Sequence, residues 1–170
     1  MHCLHPDLPE IAAILQRRRW LLGSAESCTG GMIAAACTDL PGSSAWFAGG
    51  VVTYTIPWKE RLLGVPAAVI GSAGVVSAAT AEAMAAGLLR QHGVNAAIAT
   101  TGIAGPSGAE PGKPVGTVFI AAAVAGFPVR ARRFQFPGSR ADVREGATEA
   151  ALHMLLELLH TVESGSNTIK

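Results

Sequence analysis

Apolar positions along this chain alternate between a helical period of about 3.6 and a strand period of 2, and their order predicts alternating helices and strands. Over residues 8–19, Ile11, Ile14 and Leu15 recur on one helical face, and three arginines close the segment, the charge sign a helix C-terminus favours. A strand is expected at 21–25, then a glycine turn, a helix at about 30–38, a strand at about 51–55 and a break at Pro57. Ser77 reads as the N-cap of a helix over 78–91 that stops at Gly93. Strands follow at 96–101, at 115–124, a run apolar enough to be buried on both faces, and at 129–136. Ser139-Arg140-Ala141-Asp142 has the form of a capping arrangement, opening a helix with Ala147, Ala151, Leu155, Leu158 and Leu159 as its apolar stripe. Helices covering a mostly β interior predict an α/β fold: a three-layer α/β/α sandwich around a mixed, largely buried sheet of about five strands.

Composition narrows the picture. The 170 residues are 49% hydrophobic with mean hydropathy +0.36, enough for one core, and neither a linker nor a repeat divides them. The expectation is a single domain over 1–162 and a disordered polar tail over 163–170. A formal charge of +1 leaves no electrostatic footprint for nucleic acid or an acidic membrane, so a small ligand is the expected partner. The start of the chain has no signal-peptide pattern, and no apolar run approaches the roughly 20 residues of a membrane span. Cys3, Cys28 and Cys37 are scattered, with no metal-ligand spacing, which predicts a reducing, cytoplasmic setting and no metal site.

Two glycine-rich turns stand where ligands gather in such folds, at the ends of strands. The first, Ala25-Glu26-Ser27-Cys28-Thr29-Gly30-Gly31, joins hydroxyls, a thiol and paired glycines ahead of a helix, whose first N–H groups are expected to hold an anion. The second runs from Gly102 to Gly108. Neither is a P-loop, because no Gly-Lys-Ser/Thr follows.

The inventory of reactive groups is short. The five histidines are poorly placed for a Ser-His-Asp triad, lying in the first residues, at a helix end or in the last helix. Lysine replaces histidine as a base only if its environment lowers its pKa from about 10.4 towards neutrality, a bias of roughly 4 kcal/mol for three units. Lys59, beside Glu60 and Arg61, would by itself read as part of a solvated face. Ser44 after Pro41-Gly42 would read as a turn residue, and Tyr54, the one tyrosine, as a core aromatic. Cys28, at an expected helix N-terminus, is a thiol candidate whose commoner role is that of a small buried hydrophobe.

The sequence as a whole is more specific than any of its parts. Ala25-Glu26-Ser27-Cys28-Thr29-Gly30-Gly31, Gly42-Ser43-Ser44-Ala45-Trp46-Phe47, Val51-Val52-Thr53-Tyr54, Lys59, Leu63-Gly64-Val65, Val76-Ser77, Thr101-Gly102-Ile103-Ala104-Gly105-Pro106 and Lys113-Pro114-Val115-Gly116-Thr117-Val118, in this order, resemble the CinA C-terminal domain family. The resemblance implies deamidation of nicotinamide mononucleotide to nicotinic acid mononucleotide and ammonia, in a stand-alone form, with no cofactor. It further implies a serine-lysine pair, for which the matching positions are Ser44 as nucleophile and Lys59 as base, with Tyr54 orienting or relaying the proton. Ser27, Thr29, Gly30, Gly31, Thr101, Gly102 and Gly105 are the expected substrate-binding residues, and Arg140 is expected to meet the phosphate. A homodimer is expected. The chain departs from the family at Thr55-Ile56-Pro57-Trp58, where small or polar residues are usual, so a nucleotide-binding protein without turnover is the second reading. A third, an interaction protein linked to competence or DNA damage, has no support from the charge.

Overall fold

The structure, a computed structural model, describes residues 4–166. In chain order its elements are α1 (Leu8–Arg18), β1 (Leu22–Glu26), α2 (Met32–Asp39), a 3₁₀ turn (Ser43–Ala45), β2 (Phe47–Val52), α3 (Ile56–Leu63), α4 (Ala67–Ala73), α5 (Ala78–His92), β3 (Ala96–Gly102), β4 (Thr117–Val124), β5 (Arg130–Gln135) and α6 (Arg140–Ser166). The strands form one five-stranded sheet in the order β2-β1-β3-β4-β5. Strand β1 runs parallel to β2 and β3, while β4 is antiparallel to β3 and β5 to β4. The sheet is therefore mixed, as the sequence predicts.

Strand alternation sorts the core into two layers. Leu22, Ile98, Val118, Ile120, Ala122 and Val124 pack with α1, α2 and α6 on one face. Ala25, Ala97, Ala99, Ala121 and Ala123 pack with Leu63 of α3 and Met84, Ala85 and Leu88 of α5 on the other. The second face is lined by alanines, so its helices lie close. A Cβ at Gly87 of α5 would sit 2.0 Å from the Leu63 carbonyl, so only glycine lets α3 approach there.

Two caps follow the sequence. The Ser77 hydroxyl accepts from the Thr80 N–H at 3.1 Å, and Gly93 ends α5 at φ 64°. At α6, the Ser139 N–H donates to Asp142 Oδ2 at 2.7 Å and the Asp142 N–H to Ser139 Oγ at 3.3 Å. The Ser139 hydroxyl, which donates to Asp142 Oδ2 at 2.7 Å, and the Ser139 N–H hold the exposed Asp142 carboxyl below its usual pKa.

Three expectations need correction. The strand expected at 51–55 is β2, which begins at Phe47 and ends at Val52. Pro57 is not a break: it occupies the first turn of α3, where the missing N–H costs nothing and the fixed φ suits a helix. Residues 163–166 continue α6 instead of starting a tail, and the rest of the expected tail lies outside the described residues.

The topology gives the two ends of the sheet different contents. Parallel strands β1, β2 and β3 all finish at one end, where β4 begins and β5 leads into α6. Both glycine-rich turns, the segment after β2 and the start of α6 thus converge. The 3₁₀ turn precedes β2 and stands at the opposite end, where the Trp46 carbonyl accepts from the Leu22 N–H at 2.7 Å.

Candidate active site

At the end of β1 the chain buries two charged side chains, one on each sheet face. Leu22, Ser24 and Glu26 alternate onto the α2 face, and Gly23, Ala25 and Ser27 onto the α5 face. The Glu26 carboxylate, fully buried, accepts from Ser24 Oγ (3.1 Å) and the Ala34 N–H (2.9 Å) on one oxygen. On the other it accepts from Thr29 Oγ1 (2.8 Å) and from the Gly31 (2.8 Å) and Ile33 (3.2 Å) N–H groups. The anion at the α2 N-terminus is therefore the protein's own. Gly30 and Gly31, at φ 62° and 98°, shape a turn that folds back onto Glu26, and their role is not to cradle an external phosphate on α2. Thr29 is fully buried and spends its proton on Glu26, so it accepts from Thr100 Oγ1 at 2.8 Å. Its side chain faces the interior and offers nothing to a ligand.

On the other face stands Lys59, fully buried although a charged neighbour flanks it on α3. Its Nζ lies 3.1 Å from Ser27 Oγ and also donates to the Thr53 carbonyl, just beyond β2. Burial pulls its pKa from the usual 10.5 down to about 8, with the nearby Cys28 thiol opposing the shift. No carboxylate among the described residues is within ion-pair range of it. This is the poised amine that a lysine base requires. Cys28 is ill suited to act as a nucleophile, because burial pushes its thiol up to about 11.

Ser44 does not meet Lys59. It is exposed in the 3₁₀ turn before β2, whereas the Thr53 carbonyl that holds Lys59 follows β2. The six residues of β2 separate the two positions by roughly 20 Å at about 3.3 Å per residue. The serine beside the lysine is Ser27, which the sequence placed among the binding residues.

The other expected residues divide by location. Tyr54 and Arg140 come together: Arg140 Nη2 donates to the Tyr54 hydroxyl at 3.1 Å, and Nη1 to the Gly105 carbonyl at 2.8 Å. The Tyr54 phenol is thus held by Arg140 and not by Lys59. Gly105, at φ 82°, packs so tightly on Val115 that a Cβ would fall 2.4 Å from Cγ1. Gly102 is pressed against the start of β4, where a Cβ would fall 2.7 Å from the Thr117 carbonyl oxygen, and Thr101 donates to the Val75 carbonyl at 2.8 Å. These last two hold the second loop and the α4–α5 link in place.

One contributor escaped the sequence reading. Arg144, one helical turn after Arg140 on α6, donates through Nε to the Cys28 carbonyl (3.1 Å) and through Nη2 to the Thr29 carbonyl (2.9 Å). It pins the turn that carries Ser27. The i, i+4 spacing of the two arginines on a predicted helix was the available signal. A hollow of about 460 Å³ between α2, α6 and the first described residues is lined by carboxylates such as Asp39, Glu145 and Glu149, and none of the expected site residues lines it. Among the described residues no cluster could hold a metal ion, and no helix is long and apolar enough to cross a membrane.

Fold and site together define a three-layer α/β protein with a buried lysine on a serine at the carboxyl end of a central parallel strand. Comparison with known proteins agrees with that fold. The family model described as the CinA C-terminal domain matches residues 8–159, and the chain belongs to this family. It is 50% identical over 150 residues to a CinA-like protein of Mycolicibacterium gilvum and 47% identical over 149 residues to one of Mycobacterium tuberculosis. Each match covers 88% of this chain, which spans about a third of the length of those relatives, 35% and 34%. Among solved structures, a CinA superfamily protein from Klebsiella pneumoniae superposes with TM-score 0.87 at 36% identity, covering 94% of this chain and 99% of that one. A competence/damage inducible protein from Agrobacterium tumefaciens gives TM-score 0.83 at 38% identity, covering 93% and 99%.

Proposed function

We propose that this chain is an amidohydrolase that converts nicotinamide mononucleotide to nicotinic acid mononucleotide and ammonia, with Ser27 as nucleophile and Lys59 as base. The observation that carries the reading is the 3.1 Å contact between Ser27 Oγ and a buried amine whose pKa is lowered to about 8. At neutral pH about a tenth of such an amine is unprotonated, enough to accept the serine proton as Oγ attacks the carboxamide carbon. Of the N–H groups in the turn, Gly30 bonds the Ser27 carbonyl and Gly31 bonds Glu26, while those of Cys28 and Thr29 face the Cys28 sulfur and are the donors the tetrahedral oxyanion would draw on in its place. Lys59 then passes its proton to the departing ammonia, and water cleaves the acyl-enzyme.

The rim suits the rest of the substrate. Arg140 is exposed and uses two of its donors on Gly105 and Tyr54, leaving others for a phosphate. Tyr54 and Trp58 are 57% and 56% exposed, offering aromatic faces to a pyridinium. The departure at Pro57-Trp58 leaves Lys59 on Ser27, which supports turnover over a nucleotide-binding protein without it.

The test is ammonia release from nicotinamide mononucleotide by the purified protein without added metal. Turnover in the wild type, and a fall of about a thousand-fold or more in Ser27→Ala, is expected. Full turnover in Ser27→Ala, or a ligand-induced rise in melting temperature with no ammonia from the wild type, would overturn the proposal.

A further inference from the structure

We infer that the Thr53 hydroxyl positions the water that hydrolyses the acyl-enzyme, an inference that rests on the amidohydrolase reading above. Thr53 is fully buried, yet its Oγ1 has no hydrogen-bond partner among the described residues. An orphaned buried hydroxyl costs stability that a valine of the same shape would not, so the fold gives no reason for a threonine here. The one other orphan of this kind among the described residues, Trp46 Nε1, belongs to the opposite end of β2.

The place of Thr53 supplies a reason. Its N–H donates to the Glu26 carbonyl at 2.8 Å, extending the β1–β2 pairing by one residue. Val51 packs on the α5 face, so Thr53, two residues on, turns its side chain to that same face, where Ser27 and Lys59 meet. Its carbonyl already holds Lys59 Nζ. Lysine nitrogen has one bonding position beyond its contacts with Ser27 and the Thr53 carbonyl. A small molecule bridging that position and Thr53 Oγ1 satisfies both groups. Because Thr53 is wholly enclosed while Ser27 retains 8% exposure, the bridge has the size of a water and not of a ring-bearing carboxamide.

The chemistry balances with water there. One hydrogen of the water is accepted by Thr53 Oγ1 and the other by neutral Lys59, which aims the water oxygen at the acyl carbon. As the oxygen attacks, its proton passes to Lys59. The bond between the acyl carbon and Ser27 Oγ then breaks, Oγ takes the electron pair and the proton from Lys59, and the carboxylic acid leaves. Acylation needs none of this.

The experiment is rapid-quench kinetics of Thr53→Val, Thr53→Ala and Thr53→Ser with nicotinamide mononucleotide, measuring ammonia and nicotinic acid mononucleotide separately. Thr53→Val is expected to release a burst of ammonia equal to the enzyme and then turn over at least about tenfold more slowly, with KM falling in parallel and kcat/KM within about twofold of wild type. Thr53→Ala, which also lacks the hydroxyl, shows the same burst, so the outcome does not hang on one variant folding well. Thr53→Ser, which restores the hydroxyl, returns kcat to within about threefold of wild type, a rescue that a packing role would not produce. The melting temperature of Thr53→Val is expected at or above that of wild type. Wild-type kcat in Thr53→Val, or a fall in kcat/KM without a burst, overturns the inference. If Ser27→Ala is inactive while Thr53→Val behaves as wild type, this inference fails alone; if Ser27→Ala is active, the reading beneath it fails.

Discussion

Glu26 and Lys59 are both fully buried and charged at the same end of β1, yet they stand on opposite sheet faces in opposite chemical conditions. Glu26 accepts from five donors, three of them N–H groups of the α2 turn. Lys59 has a serine hydroxyl, one carbonyl and no counter-charge among the described residues. A buried charge whose bonds are all made fixes architecture. One left short of partners is forced towards its neutral form, and for an amine the neutral form is the base. The carboxylate builds the turn, and in the proposed reaction the lysine acts on the serine that the turn presents.

The contrast breaks most sharply at Lys59. Lys59→Met keeps the length of the side chain but removes the base, so ammonia release is expected to fall about a thousand-fold or more. Stability is expected to move the other way. The folded-state pKa of about 8 lies below the ordinary 10.5, so between these values the unfolded chain holds a proton that the native state has lost. Native stability therefore rises with pH through that window, and below pH 8 the full cost of burying the ammonium, about 3 kcal/mol, is present. Denaturant titrations at pH 7 should find Lys59→Met at least as stable as wild type, the gap closing towards pH 10. A loss of stability at pH 7 would mean that the lysine holds the fold together.

Glu26→Gln is the mirror experiment. One amide oxygen cannot replace two carboxylate oxygens, so one or two of the three N–H groups of the α2 turn lose their acceptor, and a cost of about 2–4 kcal/mol is expected in chemical denaturation. A neutral outcome would show that the turn does not depend on the carboxylate.

Smaller effects sharpen the same contrast. Below pH 8, kcat/KM is expected to rise about tenfold per unit and then level off as Lys59 loses its proton; a flat profile from pH 6 to 9 would exclude an amine of that pKa as base. Tyr54→Phe frees Arg140 from one partner and is expected to raise KM less than about tenfold, with kcat little changed. Ser44→Ala, in an exposed turn at the far end of β2, is expected to leave turnover unchanged and stability within about 0.5 kcal/mol.

Much of the fold was legible because it rests on local chemistry. The Ser77 cap, the Ser139–Asp142 box, the stop at Gly93 and the doubly buried β4 each announce themselves within a few residues. The site was legible in its parts and not in its pairing. Ser27 and Ser44 both lie upstream of Lys59, and nothing in linear spacing says that β2 runs its whole length between one of them and the lysine. That separation follows from parallel pairing of β1 and β2, a non-local fact. The glycine turn misled for a related reason. Its N–H groups do bind an anion, but the carboxylate comes from Glu26 within the same motif, hidden because an acidic residue at a strand end reads equally as a solvent-facing one. Pro57 read as a break because proline disrupts a helix anywhere but in its first turn, and the helix it opens is only eight residues long.

The measurement that reaches the centre of the account is the site of the covalent intermediate. Wild-type protein quenched in acid during turnover of nicotinamide mononucleotide, then digested and mapped by mass spectrometry, is expected to carry the acyl group on the peptide containing Ser27. An acyl group on Ser44 or on Cys28 would contradict the pairing of serine and buried lysine from which every step here is drawn.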